Sequence, residues 1–243
     1  MKVIAIGGGT GLSTLLRGLK HFVPDYMDDL SAIVTVSDNG GSTGILRKEM
    51  NIPAPGDVRN CITALAEDED ILTKVMQYRF TEGEGLKGHS FGNLFLTVLT
   101  KITGNFLTAI EITSKILKIK GKIIPSTDSM VNLVAEFTDG KIIKGEVEIT
   151  EYGRKLIAKI KRIWLEPQNV KAPTEAVEEI IQADMIILGP GSLFTSIIPN
   201  LLIEDIKEAI LKSQAYKIYI CNVMTQFGET DDFTASDHVK ALN

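Results

Sequence analysis

Cysteine chemistry has little to work with in this sequence. Its 243 residues hold two cysteines, Cys61 and Cys221, and three histidines. Neither cysteine belongs to a CxxC pair or a zinc knuckle, so both read as core packing in apolar stretches. No Gly-Lys-Ser/Thr follows a glycine loop, which removes the usual ATPase phosphate loop. No apolar run is long enough to cross a bilayer, and the N-terminal one is too short for a signal peptide. The expected location is therefore cytoplasmic, with no membrane insertion. An excess of basic charge is also missing: 26 Lys and Arg face 31 Asp and Glu, for a net charge of −5. That balance argues against a nucleic-acid partner, which needs a basic face. The one basic run, KILKIKGK, reads as a solvated surface. Repeats and low-complexity segments are lacking too.

What is present starts at the N-terminus, with KVIAIGGGTGLSTLLRGLK. Val3, Ile4, Ala5 and Ile6 suit a buried parallel strand, and Leu12, Leu15, Leu16 and Leu19 recur at helical spacing. Gly8, Gly9, Thr10 and Gly11 lie between them. A strand, a glycine turn and a helix N-terminus together form an anion site, because unpaired backbone N–H groups point outward there. Leu12 stands where the dinucleotide fingerprint needs a third glycine, so this is not the usual NAD loop. The glycines would also serve tight helix–strand packing with no ligand at all.

The pattern continues with a strand over Leu30–Val36 and a helix capped by Asp57 that carries Val58, Cys61, Ile62 and Leu65. Another helix carries Ile71, Leu72, Val75 and Met76. The clearest helical stripe follows: Phe91, Leu94, Phe95, Val98, Leu99 and Ile102. Between about residues 121 and 165 the segments turn β-rich around Asp139-Gly140, a hairpin signal, and KGEVEITEY falls in this stretch. The α/β alternation then resumes through TEAVEEIIQA, DMIILG, IEDIKEAILK and YKIYICNV. A capping box, Thr234 with Asp237, opens a last short helix. These elements predict an α/β fold: a Rossmann-like, doubly wound, mostly parallel sheet with a small antiparallel β insert, all in a single domain over residues 1–243. Ligands of such sheets sit beyond the carboxyl ends of the strands.

The polar loops can be weighed against that expectation. SDNGGSTG carries Asp38 and Asn39. A carboxylate there accepts from ribose hydroxyls or coordinates Mg²⁺, and its other reading is an Asx turn that shapes the loop. GPGSLFTS supplies Gly189, Gly191 and Ser192 as a second anion loop. Asn222, Thr225 and Gln226 are polar groups able to read a base or sugar. GLKGHSFGN contains the G-x-S-x-G pattern of a nucleophile elbow, but a polar loop precedes Ser90 where the elbow needs a strand. Ser90 reads better as a helix cap, with Lys87 and His89 beside the positive helix end and Asn93 one turn in. Arg59, early in its helix, opposes the dipole and calls for a salt bridge, or else a phosphate. Glu229, Asp231 and Asp232 fit a hard-cation site or, more simply, an exposed loop.

Six spaced blocks, IGGGTGLSTLLRGLK, VTVSDNGGSTGILRKE, PGDVRN, GHSFGNLFL, GPGSLFTSIIPNL and MTQFGETDDFTASDH, together resemble the YvcK-type family of gluconeogenesis factors from Lys2 to His238. That family shares the fold of the CofD-like 2-phospho-L-lactate transferases, which move a phospholactyl group from a guanosine diphosphate donor to a deazaflavin with Mg²⁺. The resemblance implies a nucleotide-diphosphate site built from the loops above. It also implies UDP-sugar binding, as of UDP-N-acetylglucosamine, with links to cell shape and gluconeogenic growth, and homo-oligomers. Relatives run longer at the C-terminus, so a C-terminal segment of the family is expected to be missing here. Two readings stand. One is a regulatory binding protein that signals a UDP-sugar level to a protein partner. The other is a transferase in which Asp38 holds Mg²⁺ or acts as base; no other catalytic residue is assigned.

Overall fold

The computed structural model describes residues 1–67, 71–156 and 158–242. Strand β1 (Lys2–Gly7) leads into α1 (Gly9–Leu19), β2 (Asp29–Val34), and the helices α2 (Gly41–Met50), α3 (Pro55–Leu65), α4 (Ile71–Gln77), α5 (Phe91–Thr103) and α6 (Phe106–Ile116). Next come β3 (Lys122–Pro125), β4 (Asn132–Phe137), β5 (Ile142–Lys144), α7 (Glu146–Leu156) and β6 (Ile160–Glu166). The chain continues through α8 (Thr174–Gln182), β7 (Met185–Leu188), α9 (Ile198–Leu201), α10 (Glu204–Lys212), β8 (Tyr216–Tyr219) and α11 (Ala235–Ala241).

The main sheet has five parallel strands in the order β3-β2-β1-β7-β8. β1 is its centre because Val3, Ile4, Ala5 and Ile6 are apolar on both faces and buried on both. The chain builds outward from β1 to β3, then returns to the other side of β1 for β7 and β8. Neighbouring crossovers therefore diverge between β1 and β7, and the loops after those two strands meet there. Leu12 and Leu16 press α1 onto the sheet, alongside α3 with Val58, Cys61, Ile62 and Leu65. A separate antiparallel sheet, β5-β4-β6, carries α7.

The insert differs from its expected bounds. KIIP, near the start of the β-rich stretch, is β3 of the main sheet, and the antiparallel sheet spans Asn132–Glu166. Within it, EVEITEY is the helix α7 rather than a strand. The alternation of Val147 and Ile149 imitates a strand, yet Val147 is exposed while Ile149 and Gly153, four apart, face inward. Gly145, at φ +106°, ends the strand, and Glu146 and Glu148 favour the positive end of the helix that follows.

The stripe on α5 is only partly buried: Phe91 and Phe95 pack against the core, but its far end is exposed. Val98 and Ile102 are 52% and 75% exposed, while Gly92, Asn93, Leu96, Thr97 and Thr100 are buried. Threonine can occupy an inward face because its hydroxyl bonds within the helix: Thr97 to the Asn93 carbonyl and Thr100 to the Leu96 carbonyl, both at 2.7 Å. On α4, Ile71 and Leu72 are exposed and Met76 is buried. Cys61 lies in the core, whereas Cys221 is half-buried. The Thr234–Asp237 capping box is formed at the start of α11. Among the described residues, no helix is long and apolar enough to cross a membrane.

Candidate functional site

Gly8 is the extended N-cap of α1, and its carbonyl accepts from Leu12 N at 3.3 Å. The N–H groups of Gly9, Thr10 and Gly11 thus have no partner inside the helix. Gly9 N–H donates to the carboxylate of Asp57. Asp57 is not the cap of its own helix: Ala54 holds that position, and Asp57 is the third residue of α3, turned towards the start of α1. A Cβ on Gly9 would overlap the Asp57 carboxylate, and one on Gly11 would overlap the Pro190 carbonyl. These two glycines are needed for close approach of the chain to itself. What remains free for a ligand is the pair of N–H groups on Thr10 and Gly11.

Those groups open into a cavity of about 320 Å³ between the β1 and β7 loops, lined also by Asp57, Glu146, Thr150, Gly191, Ser192, Gln226 and Glu229. Three carboxyl groups in one cavity alter each other's ionisation. Burial, and secondly the charge of Asp38, push Asp57 up to about 7. Burial first, then Asp57, Asp38 and Glu229, hold Glu146 well above the usual carboxylate range. Burial raises Glu229 as well, against the hydrogen bonds it receives from Ser192 and Thr150. Gln226 Nε2 also donates to Glu229, at 2.5 Å, and Asn222 Nδ2 holds the Gly191 carbonyl at 2.9 Å. Glu229 is therefore part of this cavity, where the sequence favoured an exposed loop. One oxygen of Glu146, Oε2, is buried with no partner. Near neutral pH the cavity can both donate to and accept from hydroxyl groups. No group of three or more His, Cys, Asp or Glu among the described residues is arranged to hold a metal ion alone.

A second cavity, of about 260 Å³, lies on the other side of Asp57. Asp38 forms one wall. Its Oδ1 accepts from Gly40 N at 2.8 Å, so the Asx turn is real and the residue faces the cavity as well. The loop is fixed from behind by buried Arg47, which donates to the carbonyls of Ser37, Asp38 and Val131. Ser42 Oγ lies 3.0 Å from His89 Nδ1 and accepts from Asn93 Nδ2 at 3.3 Å, which brings His89 and Asn93 to the start of α2.

Other expected residues have different work. Asn39 ties its loop to α7, with Nδ2 donating to Glu148 Oε2 at 2.6 Å and Oδ1 accepting from Val147 N at 3.1 Å. Lys87 and Thr225 are exposed and line neither cavity. Gly8 and Gly189 shape the loop bases and line neither cavity. Ser90 is the N-cap of α5, but its hydroxyl makes no cap bond and accepts instead from Arg59. No strand precedes Ser90, and His238 bonds its own Thr234 carbonyl, so the elbow reading has no geometry. Among the described residues Arg59 has no ion pair; its hydrogen-bond partners are Ser90 and Asn60. Sequence reasoning missed Asp57 as a site residue, together with Glu146 and Arg79. Asp57 looked like a cap and Glu146 lay in a strand-like segment, so only the fold brings them to the loops.

The family model for 2-phospho-L-lactate transferase CofD matches residues 3–243. A gluconeogenesis factor of Bacillus subtilis is 51% identical over 242 residues, all of this chain and 74% of that protein. A protein of Aquifex aeolicus that carries the same name provisionally is 66% identical over 239 residues, 98% of this chain and 72% of that one. The crystal structure of protein BH3568 from Bacillus halodurans superposes with a TM-score of 0.94 at 52% identity, covering 99% of this chain and 75% of that one.

Proposed function

We propose that this chain, which belongs to the CofD family and within it to the gluconeogenesis factors, is a regulatory protein that binds a nucleotide diphosphate-sugar. The observation that carries the reading is the cavity at the β1–β7 switch point, where two backbone N–H groups and three protonatable carboxyls face one space. The Thr10 and Gly11 N–H groups, with Gly191 opposite, take a phosphate oxygen at the positive end of α1. Glu146 and Glu229 accept from ribose or sugar hydroxyls, as acidic residues do in other nucleotide sites of this topology. UDP-sugars, UDP-N-acetylglucosamine among them, are the ligands to test first. The bound state would report precursor level to a protein partner, linking cell shape to gluconeogenic growth.

Mg²⁺ would enter with the diphosphate. Such an ion needs only one or two carboxylates besides phosphate and water; Asp57, which lines both cavities, would supply one, and Asp38 across the second cavity is the candidate for another. Bound there, it would neutralise phosphate charge beside acidic walls.

One observation favours a transferase instead. Asp57 titrates at about 7, the range suited to a general base, and it sits between two cavities where donor and acceptor could meet. Calorimetric titration with UDP-N-acetylglucosamine, UDP-glucose and GDP, each with and without Mg²⁺ and followed by product analysis, separates the readings. Saturable UDP-sugar binding with ligand recovered intact supports the regulatory protein. Consumed nucleotide supports the transferase. Failure of all three ligands to bind removes both.

A further inference from the structure

The second cavity holds cationic groups that the nucleotide reading does not use. Arg59 and Arg79 line it together with Asp38 and Asp57, and among the described residues neither arginine has a carboxylate within salt-bridge distance. Arg59 is 8% exposed, bonds Ser90 and Asn60, and keeps its Nε buried with no partner. Arg79 is exposed and donates through one guanidinium nitrogen to the Gly88 carbonyl at 2.6 Å. Burial first, and then the like charge of Arg79, disfavour the charged form of Arg59, and Asp57 and Asp38 oppose this in part.

Other features turn towards the same space. The N-terminus of α2 brings Gly41, Ser42 and Thr43 to it with no side-chain cap. Asn93, 2% exposed, has a buried Oδ1 without a partner, while its Nδ2 is spent on Ser42 and Thr43. The chain also makes room for the buried cation. A Cβ on Gly92 would lie 2.7 Å from Arg59 Cδ and 2.5 Å from the Met76 carbonyl, so the glycine of SFGN lets the Arg59 stem pass. That accounts for the G-x-S-x-G pattern: Ser90 bonds the guanidinium and Gly92 admits its stem.

From this geometry we infer a second anion subsite, for the phosphate monoester of a co-ligand distinct from the nucleotide. A phosphate dianion between two guanidinium groups at a helix N-terminus meets two cations that, among the described residues, have no carboxylate in salt-bridge contact. Phosphate is favoured over a carboxylate because its tetrahedral oxygens can meet both guanidinium forks and the helix end at once, on the side of the cavity away from the Asp38 wall. The Thr43 hydroxyl and the unpartnered Asn93 Oδ1 are then the groups nearest to receive hydroxyl groups of the attached carbon chain. The subsite lies across Asp57 from the Thr10–Gly11 amides, so both can be filled at once. It stands on these residues whether or not the first cavity takes a UDP-sugar.

The test uses the full chain and inorganic phosphate, followed by ³¹P NMR and calorimetry at constant ionic strength, with acetate as the carboxylate control. Saturable phosphate binding, little affected by acetate, is expected, and Arg79→Gln should weaken it roughly tenfold. Arg79 is exposed, so this variant tests the subsite without emptying the core; Arg59→Lys, which keeps the charge and loses the fork, should weaken it too. Phosphate affinity should persist when UDP is present at saturation. No saturable binding below about 10 mM, an unchanged affinity in Arg79→Gln, or one-for-one displacement by UDP would each overturn the second subsite. Because phosphate alone is the probe, failure here leaves the UDP-sugar titration standing, and the reverse also holds.

Discussion

Replacing Asp57 by Asn should make the protein more stable at neutral pH and leave it unchanged in acid. An Asp57 that titrates at about 7, against an ordinary 3.8, resists ionisation in the folded state. Below the ordinary value both folded and unfolded chains carry the proton, and Asp57 contributes nothing. As pH rises through that value the unfolded chain ionises first, so folding loses free energy until the folded group ionises near 7. The loss is complete above that pH. The full shift, about three pH units, corresponds to about 4 kcal/mol. Because the carboxyl opens onto a cavity that water enters, about 2 kcal/mol is the better expectation. Its surroundings are Asp38 on the loop after β2, Arg59 on its own helix, the Gly9 amide of α1, and Glu146 of α7. Asn keeps the acceptor for Gly9 N–H while removing the charge. Urea unfolding of both proteins at about pH 3, 6 and 7.5 checks this. The curves should converge in acid and diverge by about 2 kcal/mol at the highest pH. A residual slope in the variant is expected, since Glu146 and Glu229 are raised in the same direction. A variant less stable than wild type at pH 7.5, or a gap that widens in acid, would refute the reasoning.

Other consequences follow from packing. Gly9→Ala places a methyl group against the Asp57 carboxylate and should cost about 2 kcal/mol. Adding Asp57→Ala should recover part of that loss, and a double-mutant cycle by thermal unfolding reads the coupling. Arg47→Ala leaves the Ser37, Asp38 and Val131 carbonyls without their buried donor, which should cost about 3 kcal/mol in urea unfolding. On α5, Ile102→Ser should change stability by less than about 0.5 kcal/mol because the side chain is exposed. Leu96→Ala should cost about 3 kcal/mol because Leu96 is fully buried. The reverse order would mean that α5 presents its other face to the core.

The β1–loop–α1 unit is legible in sequence because its signals are local. An apolar run, a glycine cluster and a leucine stripe each follow from a few adjacent residues, and the sheet order then places the site at the β1–β7 junction. α5 misleads because the last residues of its apolar stripe, Val98 and Ile102, are exposed, while threonines that satisfy their own hydroxyls share the buried face with Leu96. α7 misleads because two residues of alternation suffice to look like a strand. The charged groups of the site were the least legible. Asp57 and Arg59 share α3, but Glu146 and Arg79 come from elsewhere in the chain, and no spacing announces that the four share two cavities. The Gly9 case teaches the same lesson: its missing Cβ makes room for Asp57, a residue far along the chain, before it serves any ligand.

Hydrogen exchange by mass spectrometry, with and without saturating UDP-N-acetylglucosamine and Mg²⁺, tests the central claim most directly. Slower exchange confined to peptides that line the first cavity, those covering Gly9–Gly11, Asp57, Glu146–Thr150, Gly191–Thr195 and Gln226–Glu229, is the predicted result. Unchanged exchange there, or protection elsewhere in the chain, would contradict a nucleotide site at the β1–β7 junction.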